Sequence, residues 1–187
     1  MDLQKFGVKL YLNTNGSFDS KDFIPVFHTW IQDEVISDHL LIDVADYSHI
    51  PDGPGVMLIA HEGHFSLDQE KLIPGIMYMR KTATDGSFIE RFMKVLSTTI
   101  QAANHLRNNN INKEIDIIKN SFRFIANDRR IAKNTLDNQS FYKDKVHKAL
   151  VEKYPGCNVN YEDFSSENER LAFTVNFSND IDILEEK

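Results

Sequence analysis

Apolar and polar positions alternate from the start of the chain. Val8, Leu10 and Leu12 share one side of an extended segment, and Lys9 and Tyr11 share the other. A period of two predicts a strand over Val8–Leu12 with one face in a core. Asn13-Thr14-Asn15-Gly16 interrupts it with turn formers. The period then changes. Phe23, Phe27, Trp30 and Ile31 fall at i, i+4, i+7 and i+8, which predicts a helix over 22–35 with one apolar stripe. Asp22 is the expected cap, and Pro25 sits in the first turn, where its missing N–H costs nothing.

Leu40–Tyr47 and Val56–Ala60 read as strands around the breaker Pro51-Asp52-Gly53-Pro54-Gly55, and Ile76–Lys81 reads as another after Pro74-Gly75. The clearest helix runs from Ser87 to Leu106. Phe88, Phe92, Val95, Leu96, Thr99, Ile100 and Ala103 form its stripe, and Ser87 is its cap. Ile111–Lys119 fits neither period. A strand at Phe122–Ala126, a helix over Asn138–Tyr154 ended by Pro155-Gly156, and strands near Val159–Phe164 and Leu171–Phe177 complete the chain.

These elements predict an α+β fold: a mixed or antiparallel sheet with two or three helices packed on it, in one domain. Both ends run strand, loop, helix, strand, turn, strand. Tyr142, Val146, Ala149 and Leu150 repeat the spacing of Phe23, Phe27, Trp30 and Ile31 at a constant offset of 119, with His147 opposite His28. This suggests two βαββ repeats, 6–68 and 120–180, related by a pseudo-twofold, with 73–119 inserted between them. Any two amphipathic helices share such a spacing, so the element order carries more of this reading than the residues do.

Composition narrows the function. A hydrophobic content of 41% over 187 residues is enough for a core without disulfides. The net charge of −7 opposes a phosphate-backbone binder, so no nucleic-acid partner is expected. No apolar run reaches membrane-span length and no signal peptide opens the chain, which together predict a cytoplasmic protein with no membrane partner. Cys157 is the one cysteine, so neither an intrachain disulfide nor a cysteine metal cluster forms, and it reads as a small apolar residue. The sequons at Asn15, Asn138 and Asn176 are then chance matches.

Standard catalytic motifs are absent. His61-Glu62-Gly63-His64 is one residue short of the zinc H-E-x-x-H pattern and extends a strand rather than a helix. Asn13–Asp22 lacks a carboxylate at the first position of a calcium loop. What stands out is a run of ionisable groups: Asp43, Asp46, His49, Asp52, His61, Glu62, His64 and Asp68. On a continuous strand Glu62 and His64 project to one face and His61 to the other, so Glu62 and His64 form a candidate acid–base couple. His61, Glu62 and His64 are also candidate ligands for a divalent metal such as zinc or iron, with Asp43, Asp46, His28 or His147 completing the set. Asp43, Asp46, His49, Asp52, His61 and Arg80 are the candidate ligand-binding residues. The bland reading is that polar residues collect at wet strand ends. Arg123, Asn127, Asp128, Arg129 and Arg130 form a second polar group.

Three functions are compatible with this pattern. The first is a non-catalytic protein for binding a small molecule or for assembly. The second is a small metal-assisted or acid–base enzyme centred on Asp43–Asp68. The third is a homo-oligomeric structural subunit that covers an open sheet edge with its own copy.

Overall fold

The computed structural model describes residues 2–14, 18–70, 73–108, 115–163, 166, 168–178 and 181–185. Part of the turn at 13–16, the start of the 111–119 segment, Phe164, Glu167 and parts of the acidic tail lie outside the described residues. The elements are β1 (Phe6–Thr14), α1 (Ile24–Gln32), β2 (Leu41–Tyr47), β3 (Gly55–Ala60), β4 (Gly63–Asp68), β5 (Gly75–Arg80), α2 (Phe88–Asn108), β6 (Ile115–Ala126), α3 (Leu136–Lys153), β7 (Val159–Glu162) and β8 (Ala172–Phe177). The strands form one eight-stranded sheet in the order β2-β3-β4-β5-β1-β6-β8-β7. All its pairings are antiparallel. The fold is α+β, with three helices packed on the sheet.

The alternation along each strand sorts side chains between the two faces. Phe6, Val8, Leu10, Leu58, Phe65, Tyr78, Phe122, Phe124, Phe173 and Val175 join the buried residues of the helices in one continuous core. Phe27 and Trp30 enter it from α1, Phe92, Val95 and Leu96 from α2, and Val146 and Leu150 from α3. Phe124 is at its centre, with its ring centroid 5.6 Å from Phe6, 5.0 Å from Phe173 and 6.1 Å from Tyr142. A buried aromatic cluster of this kind supplies much of the driving force for folding.

The helix ends follow local chemistry. Ser87 and Glu90 form a reciprocal cap on α2: the Ser87 N–H donates to Glu90 Oε2 at 2.6 Å, and the Glu90 N–H to Ser87 Oγ at 3.3 Å. Thr135 caps α3, accepting from the Asn138 N–H. The first helix differs from expectation. A 3₁₀ turn at Ser20–Phe23 precedes α1, and Asp19 rather than Asp22 caps it by accepting from the Lys21 N–H at 3.0 Å. With Pro25 at the start of α1, the turn enters the helix without losing a donor.

Two strand assignments also change. The described part of the segment that defied both periods, from Ile115, belongs to β6, which bulges against β1. Leu10 pairs with Phe122 but Leu12 with Ile117, so the alternation breaks between them. The stretch that reads as one strand from Val56 through His64 is two strands joined by a turn at His61–Glu62. Gly63 opens β4 where a Cβ would lie 2.6 Å from both Met79 O and the Tyr78 ring. Only glycine lets β4 approach β5 there. Gly55, at φ 63°, plays a similar part at the start of β3, since a Cβ would lie 2.2 Å from Leu67 O.

β1 and β6 lie side by side at the centre of the sheet, with β5 beside β1 and β8 beside β6. Four strands separate α1 from α2, while two follow α3. Among the described residues no helix is long and apolar enough to cross a membrane.

Candidate functional site

Among the described residues, the second face of the sheet carries no helix. Its central positions are Lys9 and Tyr11 on β1, Met77 and Met79 on β5, His64, Ser66 and Asp68 on β4, and Arg123 and Ile125 on β6. These are the off-beat residues of strands whose other side chains fill the core. Polar groups placed this way would ordinarily be wet, yet Lys9 is 2% exposed, Asp68 3% and Arg123 8%. Segments at 52–54, 127–129 and 168–170, with Glu70 and Ile73, stand around the face, together with a small apolar patch of Met77, Met79, Ile125 and Ala172.

A buried charge requires a partner. Lys9 Nζ donates to Asp68 Oδ2 at 2.8 Å and to the Ile73 carbonyl at 2.7 Å, bridging β1, β4 and the segment after it. The other Asp68 oxygen accepts the Glu70 N–H at 2.9 Å. Burial pushes the Lys9 pKa below its ordinary value, and the neighbouring Asp68 charge opposes that fall. The Tyr11 and Thr174 hydroxyls are 2.7 Å apart, linking β1 to β8 across β6. Burial raises the Tyr11 pKa, while Thr174 and the nearby Arg123 act against it.

Arg123 is different. Its Nε is buried and has no hydrogen-bond partner among the described residues. The side chain lines a cavity of about 210 Å³, with Arg129, Arg170, Glu70 and Glu169 on the same wall. Among the described residues none of these three arginines is in an ion pair. Arg170 Nη1 donates to Asn127 Oδ1 at 3.4 Å, which ties two of the surrounding segments together. A second cavity of about 300 Å³ adjoins the first and shares Glu70 and Arg170 with it. Met57, Met77, Met79, His64 and Ser66 form its floor, and Asp52, Gly53 and Pro54 one rim. His64 Nδ1 is buried without a hydrogen-bond partner there. Burial, then the nearby Lys81 charge, lower the His64 pKa, so the imidazole is neutral at neutral pH.

The ionisable run singled out in the sequence is divided among three places. Asp43 and Asp46 lie on the edge strand β2 and His49 in the turn after it, all exposed. Asp43 Oδ1 accepts the Val44 N–H at 2.8 Å and Asp46 Oδ1 the Ser48 N–H at 2.9 Å, so both carboxylates serve the backbone of the edge. His61 and Glu62 form the β3–β4 turn. Glu62 Oε2 accepts the Leu40 N–H at 3.0 Å, while its carbonyl receives the Lys81 and Thr82 N–H groups and the Thr82 hydroxyl. Arg80 meets the same knot from β5, its Nε donating to Thr82 O at 3.2 Å. Asp52, His64 and Asp68 alone face the enclosed side, all three on the larger cavity.

Glu62 and His64 therefore do not share a strand face. The turn at 61–62 directs His64 into the methionine-lined cavity and Glu62 toward the start of β2. Among the described residues no three His, Cys, Asp or Glu side chains converge as a metal site would need. His28 and His147 are exposed on α1 and α3. His39, which no sequence pattern singles out, donates from Nδ1 to Ser37 O at 2.9 Å. Its Nε2 is 2.7 Å from the Tyr78 hydroxyl.

Lys9, Glu70, Arg123, Arg129 and Arg170 carry most of the charge on the enclosed face. Arg123 and Arg129 belong to the second polar group of the sequence. Lys9 had one visible signal: a charged residue on the off-beat of an otherwise apolar strand. Glu70 and Arg170 are far apart in the chain and had none. No protein-family model matches this chain, and a search of the curated proteins finds no match.

Proposed function

We propose that the chain is a non-catalytic binding protein that seats a small anionic molecule on the enclosed, helix-free face of its sheet. One observation carries this reading. Arg123, on a central strand and 8% exposed, lines a cavity together with Arg129 and Arg170, and its Nε is buried without a hydrogen-bond partner. A guanidinium held out of water is costly unless an anion faces it, and planar donors from three segments suit a carboxylate or phosphate. The adjoining apolar cavity provides room for the rest of the ligand. Binding rather than turnover is favoured because Glu62 and the exposed carboxylates of β2 are engaged with backbone N–H groups, away from both cavities.

Calorimetric titration with inorganic phosphate, 3-phenylpropionate and 4-methylpentanoate tests this. Saturable binding of at least one of these anions is expected, weakened tenfold or more in Arg129→Ala. Arg129 lies in a loop, so that variant should fold normally. If none of the anions binds, or Arg129→Ala and Arg123→Met both bind like the parent, the reading is wrong.

A further inference from the structure

Resting on this reading of the face, we infer that its ligand is a free α-amino acid with an apolar side chain, bound as the zwitterion. The arginine cavity is not purely cationic. Glu70 lines it together with Arg123, Arg129 and Arg170. Its carboxylate would repel a doubly charged phosphate, whereas it suits a ligand carrying an ammonium group beside its anion.

The position of the charges matters as much as their sign. Glu70 and Arg170 are the two residues common to both cavities, so a cation acceptor and an anion donor meet where the cavities join. In an α-amino acid the carboxylate, the ammonium and the side chain all leave one carbon. With that carbon at the junction, the carboxylate points to Arg123, Arg129 and Arg170, and the ammonium to Glu70. The side chain enters the neighbouring cavity over Met57, Met77 and Met79. Methionines are polarizable and adapt to aliphatic or aromatic groups, and neutral His64 adds no charge to that floor. The smaller cavity, about 210 Å³, faces the charged groups, and the larger, about 300 Å³, receives the side chain.

The experiment compares matched ligands on the intact chain by calorimetry. Phenylalanine and leucine are set against 3-phenylpropionate and 4-methylpentanoate, which lack only the amine, and against 2-phenylethylamine, which lacks the carboxylate. Phenylalanine or leucine is expected to bind at least tenfold tighter than its amine-free partner. Glu70→Gln should erase that preference, with 3-phenylpropionate bound as tightly as by the parent or more tightly. Met77→Asp should weaken phenylalanine far more than glycine. If the amine-free acids bind as tightly as the amino acids, or Glu70→Gln leaves the preference intact, the zwitterion inference fails and the anion-binding reading stands. If amino acids and amine-free acids alike fail to bind, the zwitterion inference fails, and if inorganic phosphate fails to bind as well, both fall.

Discussion

The two faces of this sheet are built from the same strands and obey opposite rules. On the helix-covered face, Phe6, Phe122, Phe124 and Phe173 meet the apolar stripes of α2 and α3, and stability comes from area removed from water. On the other face, Lys9, Asp68, Tyr11, Thr174 and Arg123 are nearly as buried, yet the enclosing layer is made of loops. There, each polar group must find a partner, and the pairs are spread across β1, β4, β6 and β8. A core face tolerates any close-packed apolar filling. An enclosed polar face is satisfied only by particular partners, and Arg123 is left without one at its Nε.

This contrast can be attacked from both sides. The largest losses are expected from Phe124→Ala and Lys9→Met. Phe124→Ala opens a cavity in the aromatic core and should cost about 3–5 kcal/mol in denaturant unfolding. Lys9→Met strands the Asp68 carboxylate and should cost about 3–5 kcal/mol by the same measurement, whereas Lys9→Met with Asp68→Leu should recover most of it. Equal destabilisation by the single and double variants would mean that the pair is not what holds β1 to β4.

Arg123→Met should behave differently from both. It removes a buried cation with an unpartnered Nε, so stability is expected to change by less than about 1.5 kcal/mol or to rise. Anion binding should be lost. A large loss of stability would instead give Arg123 a structural role.

A smaller effect concerns pH. The folded pKa of His64 is depressed, so between that value and the unfolded value of about 6.5 the unfolded chain binds more protons. The His64 contribution is fully present above the unfolded value and is lost as pH falls through the folded one. His64→Gln should flatten the fall in stability over that acidic window, as read from melts at successive pH values. An unchanged slope would place the titrating group elsewhere.

The smallest effect is expected at the sheet edge. Asp43, beside exposed Ile42, accepts the Val44 N–H, and Asp46 adds charge beside exposed Tyr47. Two copies pairing here antiparallel would bring these carboxylates together, and edges protected in this manner resist strand addition. Asp43→Thr with Asp46→Thr should produce weak, concentration-dependent dimers in sedimentation. A parent chain that already dimerises through β2 would contradict this account of the edge.

Much of the fold was legible because local rules and tertiary needs agree. The stripe of Phe88, Phe92, Val95 and Leu96 marks α2, Ser87 marks its start, and alternation marks β1 and β8. Disagreements arose where neighbours in space intervene. The bulge against β1 disguised β6, and the close approach permitted by Gly63 concealed the turn between β3 and β4. That turn also explains why the ionisable run looked like one site. Charges adjacent in sequence were sent to an edge, a knot beneath β2 and the enclosed face.

The sequence by itself determined the three helices and most of the strands, the apolar face each presents, and the charged Lys9 on the off-beat of β1. Periodicity and capping are local properties, so they can be read without the rest of the chain. Only the tertiary structure decided that the helix-free face is closed over, that Lys9 meets Asp68, and that Glu70 and Arg170 stand together where two cavities join. These juxtapositions bring together residues 59 apart in the chain for Lys9 and Asp68, and farther for Glu70 and Arg170. They depend on strand order and on where the loops fold back, which no local pattern specifies.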